Sequence, residues 1–197
     1  MKEIIYKIKF HSEWHCGSGL TSGSDLDALV IKDKDGFPFI PGKTLKGLTK
    51  EAAIEMIELK GNRPEESGLI KELFGYFDEK NIDDSKIHTK GAAFFSNAVL
   101  SDRLRNEAKE AGLTDFFFRN ITSTAIGENG IADKGSLRRM ETVIPCELVA
   151  TISSVDEKYE EELKKCLKYI KRLGQNRHRG LGRCTFEFVE SKKEVQA

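Results

Sequence analysis

The sequence predicts one α+β domain whose strands and helices follow the order βαββαβ. Alternation of apolar and polar residues, the pattern of a strand, occurs near both ends of the 197-residue chain. Two stretches with helical spacing of apolar residues each lie between strand patterns. A hydrophobic content of 39% is enough for a core in a chain of this size. Together these observations predict a ferredoxin-like fold, formed by residues 1–197 as a single domain.

The first half of the chain is predicted to contain a strand, a hairpin and a helix. Residues 3–10 alternate, with four large apolar side chains on one face. A loop rich in Gly and Ser follows, and a turn at 33–36 leads into the second strand of a hairpin. Pro41-Gly42 stops that strand, and Thr44 is placed to cap a helix over residues 45–60.

The second half interrupts regular elements with a long insertion. Residues 78–90 are strongly polar and predicted to be mobile, whereas residues 92–100 are apolar enough for a central strand. No period persists from about 115 to 146, and a segment of this length is uncommon in a compact domain unless it is functional or disordered, and we predict a protruding arm. The remaining elements are a strand over 148–154, a helix from Asp156 to Gly174 and a final strand over 183–189.

Composition and charge narrow the class of protein. The absence of any run of eighteen apolar residues, and a strand pattern directly after Met1, predict no membrane partner and a cytoplasmic location. Four scattered cysteines without a Cys-x-x-Cys pair indicate neither a zinc ribbon nor a disulfide framework. Basic and acidic residues balance at 32 each, but residues 164–183 carry eight Lys or Arg and no acid. A basic surface is therefore expected on a neutral protein.

The segment from Ile40 to Lys50 predicts a phosphate-binding site. Lys43, Lys46 and Lys50 are three and four residues apart, which places three ammonium groups on one face near a helix N-terminus. A nucleotide-binding P-loop is disfavoured, because the two nearest glycines enclose five residues rather than four and two of those are prolines. An ordinary capped helix with solvated lysines is the alternative for this segment alone.

A second basic segment lies between the last predicted helix and the last strand. It reads Gly174-Gln175-Asn176-Arg177-His178-Arg179-Gly180-Leu181-Gly182-Arg183. Glycines allow a backbone to approach a phosphate, and arginines supply charged, bidentate donors. A solvated basic loop is the alternative, but two such loops adjoining helices of one small sheet favour phosphate binding.

These two segments carry a resemblance to a known family. Residues 40–47, Ile-Pro-Gly-Lys-Thr-Leu-Lys-Gly, resemble the I-P-G-S-S-L-K-G segment of the RAMP superfamily, the RNA-binding proteins of CRISPR-Cas effector complexes. Residues 177–183 resemble the C-terminal R-x-R-G-x-G-R loop of that superfamily, and Leu73-Phe74-Gly75 and residues 96–100 look like further landmarks. Within the superfamily, the chain looks most like the repeated backbone subunit of type III effectors.

The resemblance implies an RRM-like core that binds guide RNA (crRNA). Such subunits stack into a helical filament and insert a thumb-like β-hairpin between nucleotides, and residues 115–146 would be that thumb. The partners it implies are guide RNA, complementary target RNA, further copies of the chain and other type III effector subunits. The residues expected to contact RNA are His15, Ser18, Lys43, Thr44, Lys46, Lys50, Arg138, Arg139, Arg177, His178, Arg179 and Arg183.

The resemblance also implies a catalytic carboxylate. The family cleaves target RNA with an aspartate just before S-P-V-I-K-D, and the matching run here begins at Asp27 and continues through Asp33. A lone carboxylate can hold a hydrated divalent ion or accept the 2′-OH proton, so Mg²⁺ is the expected cofactor although no metal site made of protein ligands alone is expected. Asp25, two residues earlier, is an alternative to Asp27.

Three functions remain open at this point. The first is a guide-binding backbone subunit that cleaves target RNA at Asp27 with Mg²⁺, and the second is a subunit that only binds and stacks. The third is an endoribonuclease that processes precursor guide RNA with histidine, although none of the four histidines lies beside a Tyr or Lys in the pattern of an acid/base pair. Metal dependence of cleavage separates the first from the third.

Overall fold

The computed structural model describes residues 1–21, 26–77 and 88–189. In these ranges a π-helical turn at Leu69–Phe74 and short 3-10 turns accompany the regular elements. The regular elements are β1 (Lys2–Phe10), α1 (Gly42–Leu59), β2 (Gly75–Phe77), β3 (His88–Lys90), β4 (Phe94–Phe95), α2 (Asp102–Glu110), β5 (Phe118–Ser123), β6 (Arg138–Val143), β7 (Glu147–Val155), α3 (Glu160–Tyr169) and β8 (Cys184–Val189).

The main sheet confirms the ferredoxin-like prediction. Its four antiparallel strands lie in the order β4-β7-β1-β8, and α1 and α3 contact each other and pack against it. The apolar face predicted for β1 is buried: Ile4, Tyr6, Ile8 and Phe10 are each at most 4% exposed. The alternation of apolar residues in β7 and β8 fills the same core.

The start of α1 differs from the prediction. The helix begins at Gly42, with Pro41 at the cap position, and Thr44 lies inside its first turn, so the predicted Thr44 cap is wrong. The side chain of Asn97 does the capping instead, since its Oδ1 accepts a hydrogen bond from the Gly42 N–H at 2.9 Å. Gly42 also packs directly on β4, because a Cβ there would lie 2.0 Å from the Phe95 carbonyl oxygen.

The apolar segment 92–100 lies at the edge of the sheet and not at its centre. Phe95 pairs with Ile152 while Val99 pairs with Val149, so this segment advances four residues where β7 advances three. Such a bulge ends regular pairing and turns the segment away. Its outer side then pairs with Ile40 through Ala98, which explains why an edge segment is apolar.

The predicted arm is a hairpin, and the helix before it was not predicted. β5 and β6 pair from Phe118 opposite Val143 at the base to Ser123 opposite Arg138 near the tip. The tip, residues 124–137, exposes apolar side chains such as Ile131, which is 72% exposed. Ser101 caps the unpredicted α2 by accepting the Leu104 N–H.

Two further predictions concern segment boundaries. The last helix ends at Tyr169 and not at Gly174, because the backbone of Ile170 is extended and Arg172 bridges to Arg183. Of the segment 78–90 predicted to be mobile, residues 78–87 lie outside the described residues, and 88–90 form β3 against β2. No helix within the described ranges is both long and apolar enough to cross a membrane.

Candidate nucleic-acid interface

The glycine-rich turn between α3 and β8 is shaped by contacts within the protein. A Cβ on Gly174 would lie 2.4 Å from the His15 carbonyl oxygen, and one on Gly182 would lie 1.9 Å from that of Leu173. Both glycines have positive φ, +97° and +70°. These two glycines are therefore required for packing, whereas Gly180 at φ +93° has open space around it among the described residues.

Two clefts flank this turn. The first, called the α1 cleft, has a volume of ≈ 380 Å³ and opens between the start of α1 and the turn. The second, called the arm cleft, has a volume of ≈ 470 Å³ and opens between the turn and β5–β6. Gln175 lines both clefts. The polar residues of the α1 cleft are His15, Lys43, Thr44, Glu51, Gln175 and Arg177, and those of the arm cleft are Asp27, Ser123, Arg138, Arg139, Gln175, Asn176 and Arg179.

His15 forms the floor of the α1 cleft. Its side chain is fully buried, and Nδ1 lies 2.6 Å from the backbone carbonyl oxygen of Glu141. Nε2 has no hydrogen-bond partner in the described part of the chain. The backbone of His15 also holds the turn, since its carbonyl accepts the Gln175 N–H at 2.9 Å. A residue predicted to touch RNA is thus built into the junction of arm, turn and helix.

The three lysines of α1 do not form one free cluster at its N-terminus. Lys43 is exposed in the α1 cleft, but Lys46 Nζ donates to the Ala93 carbonyl at 2.8 Å and Lys50 Nζ donates to the Gly75 carbonyl at 3.3 Å. Burial, followed by the nearby charges of Lys50 and Lys90, lowers the pKa of Lys46. Lys46 and Lys50 therefore tie the helix to the β2 and β4 side, away from Lys43.

Asp27 lies in the arm cleft, exposed and fixed by the arm. Its Oδ2 accepts the Arg139 N–H at 2.7 Å, and its own N–H donates to the Arg139 carbonyl at 2.9 Å. It is the one carboxylate among the described residues that line this cleft. No cluster of three His, Cys, Asp or Glu side chains suited to a metal exists within the described ranges, and Asp25 lies outside them.

Glu141 is a residue of the site that the sequence analysis missed. It is 6% exposed, its Oε1 lies 2.8 Å from Lys32 Nζ, and its Oε2 accepts the Val30 N–H at 3.0 Å. Its N–H donates to the Ala28 carbonyl, and its carbonyl faces His15. One residue therefore ties the Asp27 loop to the floor of the α1 cleft, but a glutamate after two arginines in an irregular segment gives no sequence signal of burial.

The other predicted contact residues are more dispersed. Ser18 Oγ donates to the Leu29 carbonyl at 3.1 Å and accepts the Leu20 N–H, so this hydroxyl holds its own loop. His178 lines a third groove, formed by α1 and residues 169–172. Arg183 is exposed at the start of β8 and lines neither of the two clefts.

A ferredoxin-like sheet that carries a hairpin arm and a basic turn between two clefts defines the structural class of this chain. The sequence model of the RAMP superfamily matches residues 7–185, and the chain belongs to that superfamily. No curated protein matches the chain at a significant level.

Three solved structures show the same fold at low sequence identity. A chain of the structure described as the apo state of Type III-B Cmr-beta has a TM-score of 0.67 and 13% identity, covering 96% of this chain and 98% of its own length. A chain of Type III-B Cmr-beta bound to cognate target RNA has a TM-score of 0.69 and 12% identity, with 99% of each chain covered. A chain of a Type IV-B CRISPR complex has a TM-score of 0.62 and 12% identity, covering 97% of this chain and 92% of its own length.

Proposed function

We propose that this chain is a guide-RNA-binding backbone subunit of a CRISPR effector complex. The observation that carries the proposal is the convergence of two basic clefts on one turn, with Lys43 and Arg177 in the first and Arg138, Arg139 and Arg179 in the second. Cations spaced along connected clefts suit the phosphates of a single strand and read no base sequence. Membership of the RAMP superfamily and the likeness to chains of Cmr-beta and Type IV-B complexes support this assignment.

RNA binding by the full chain tests this assignment. The double variant Arg177→Gln/Arg179→Gln is expected to bind single-stranded RNA about 10-fold more weakly, and to lower the slope of log affinity against log salt by about 1.4 if each arginine meets one phosphate. The control Arg63→Gln removes an exposed arginine that lines neither cleft and should leave both values unchanged. Binding that does not change with salt, or that depends on base sequence, contradicts the assignment.

A further activity, metal-dependent cleavage of target RNA, is proposed for Asp27. The exposed Asp27 carboxylate faces the same cleft as three arginines, and Arg139 holds one of its oxygens. The other oxygen, Oδ1, is available to a hydrated Mg²⁺, whose remaining ligands would come from water and RNA phosphate, as this ion prefers. In a filament, an arm that displaces nucleotides would bring the target backbone toward in-line geometry. If Asp27 is only structural, the chain is a binding scaffold.

The test is cleavage of guide-complementary RNA by the assembled complex. Asp27→Ala is expected to abolish regularly spaced, Mg²⁺-dependent cuts while guide retention stays at the wild-type level. Asp102→Asn, which changes an exposed carboxylate at the start of α2, is the control and should cut normally. Unchanged cutting by Asp27→Ala assigns the chain to a scaffold role, and cutting of precursor guide in chelator favours the histidine-based processing enzyme.

A further inference from the structure

The hydrogen bond at Nδ1 fixes which nitrogen of His15 carries a proton. A backbone carbonyl can only accept, so the 2.6 Å contact with the Glu141 oxygen requires a proton on Nδ1. In the neutral imidazole, Nε2 then has a free lone pair and is an acceptor. This atom is buried and without a partner among the described residues, which is costly unless a ligand supplies a donor.

A second polar side chain reaches the same point. A Cβ placed on Gly17 would lie 3.1 Å from His15 Nε2 and 3.1 Å from the Gln175 side-chain nitrogen. The two side chains thus converge in front of Gly17, where a Cβ would be crowded by both, and a ligand group reaches Nε2 once the exposed, flexible Gln175 side chain turns aside. A group that both donates and accepts would satisfy the imidazole and the amide together.

We infer that His15 and Gln175 recognise a ribose 2′-hydroxyl, and so distinguish RNA from DNA. This inference rests on the proposed RNA-binding function. A phosphodiester oxygen carries no proton and cannot pair with the Nε2 lone pair, whereas a 2′-hydroxyl can donate to Nε2 and accept from the Gln175 amide. Lys43 and Arg177 line the same cleft and supply cations for the neighbouring phosphates, so a third charge at the buried ring would be costly.

The test compares RNA with 2′-fluoro RNA of the same sequence, by fluorescence anisotropy with the full chain. A 2′-fluoro group retains an RNA-like sugar pucker but has no proton to donate. Wild type is expected to bind the 2′-fluoro strand about 5-fold more weakly, which is the size expected for one lost hydrogen bond. In His15→Asn the amide can still donate to Glu141, but the acceptor at Nε2 is lost, so the preference should fall below about 2-fold. Gln175→Ala, which changes an exposed side chain, should lose part of the preference for RNA over the 2′-fluoro strand.

The outcomes separate this inference from the function on which it rests. If the chain binds neither strand, the proposed function fails. If wild type binds both strands equally, or if both variants keep the full preference, the inference is overturned while RNA binding stands. Nitrogen-15 NMR of His15 in the free protein gives an independent check, since a proton on Nε2 in place of Nδ1 also overturns it. Circular dichroism checks whether His15→Asn is folded. If this variant is unfolded, Gln175→Ala provides the test.

Discussion

At the scale of single residues, Glu141 has the most consequential contacts for the site. Its buried carboxylate forms an ion pair with the Lys32 ammonium and accepts a hydrogen bond from the Val30 N–H. Glu141→Ala is expected to lower the free energy of unfolding by about 2 to 3 kcal/mol, because it leaves a buried N–H and a partly buried ammonium unpaired. Urea denaturation measures this. Glu147→Ala, which breaks the more exposed pair with Lys7, should cost about 1 kcal/mol or less, and equal losses would contradict the argument.

The cysteines lead to a second prediction at this scale. All four are unpaired, and burial raises the pKa of Cys16 and Cys166 to about 11 and that of Cys146 and Cys184 to about 12. At pH 8 only about one thiol in a thousand or fewer would be ionised. Alkylation by iodoacetamide, followed by mass spectrometry, should therefore be at least about 100-fold slower in native protein than in urea. Equal native and denatured rates would show that the thiols are accessible.

At the scale of secondary-structure elements, two glycines of α1 have opposite roles. Gly42→Ala would place a methyl group 2.0 Å from the Phe95 carbonyl, so it must displace the helix from β4 and should cost more than about 2 kcal/mol. Gly47 lies inside the same helix with open space around it in the described structure, and Gly47→Ala should stabilise by about 0.5 to 1 kcal/mol. Thermal or urea unfolding measures both. Destabilisation of similar size by the two variants would contradict the packing explanation.

The elements that the sequence predicted are those whose apolar pattern points to one core. β1, β7 and β8 alternate over six to nine residues, so their existence and buried faces followed from period alone. The edge position of segment 92–100 did not follow from its apolar pattern. Ile40 is an apolar partner that covers this edge, so the segment has the composition of a central strand. The α1 cap was also beyond prediction, since Asn97 reaches the helix from 55 residues away in the chain.

The site was predictable in its chemistry and less so in its arrangement. Of the basic residues named from the two motifs, Lys43, Arg177 and Arg179 line the clefts, because the motifs adjoin helix and strand ends that the fold brings together. Lys46 and Lys50 show the limit: helical spacing placed them near Lys43, but the carbonyls that they bind belong to a distant part of the chain. Spacing gives the position of a side chain on a helix, and the partner depends on tertiary structure.

At the scale of the whole molecule, the arm is continuous with the candidate site. β6 bridges to Trp14 through Val143 and to Ala28 through Met140, so the base of the arm, the Asp27 loop and the His15 floor form one hydrogen-bonded unit. Displacement of the arm by RNA would therefore be transmitted to Asp27. The tip, in contrast, is held by contacts within itself, such as the Thr124 and Ser136 hydroxyls at 2.7 Å.

This division predicts that the tip can be removed without loss of the fold. Ser123 and Arg138 face each other across the hairpin, so residues 124–137 can be replaced by Asn-Gly, the dipeptide that favours a tight turn. The melting temperature should change by only about a few degrees, because the apolar tip side chains Ile126, Ile131 and Leu137 are mostly exposed. RNA affinity of the single chain should also remain within about 2-fold, because the arginines of the two clefts are retained.

The expected loss is confined to a filament of the proposed kind. If the arm separates nucleotides, chemical probing of the bound guide should show reactive positions at regular intervals in wild type and none in the shortened variant. A full-length control, Ile126→Ser/Ile131→Ser, separates the two properties of the tip: retained periodicity would assign nucleotide displacement to the length of the arm, and lost periodicity to its exposed apolar side chains. Regular reactivity in the shortened variant would show that the arm does not displace the guide, and that the kinks, if present, arise from stacking of the cores.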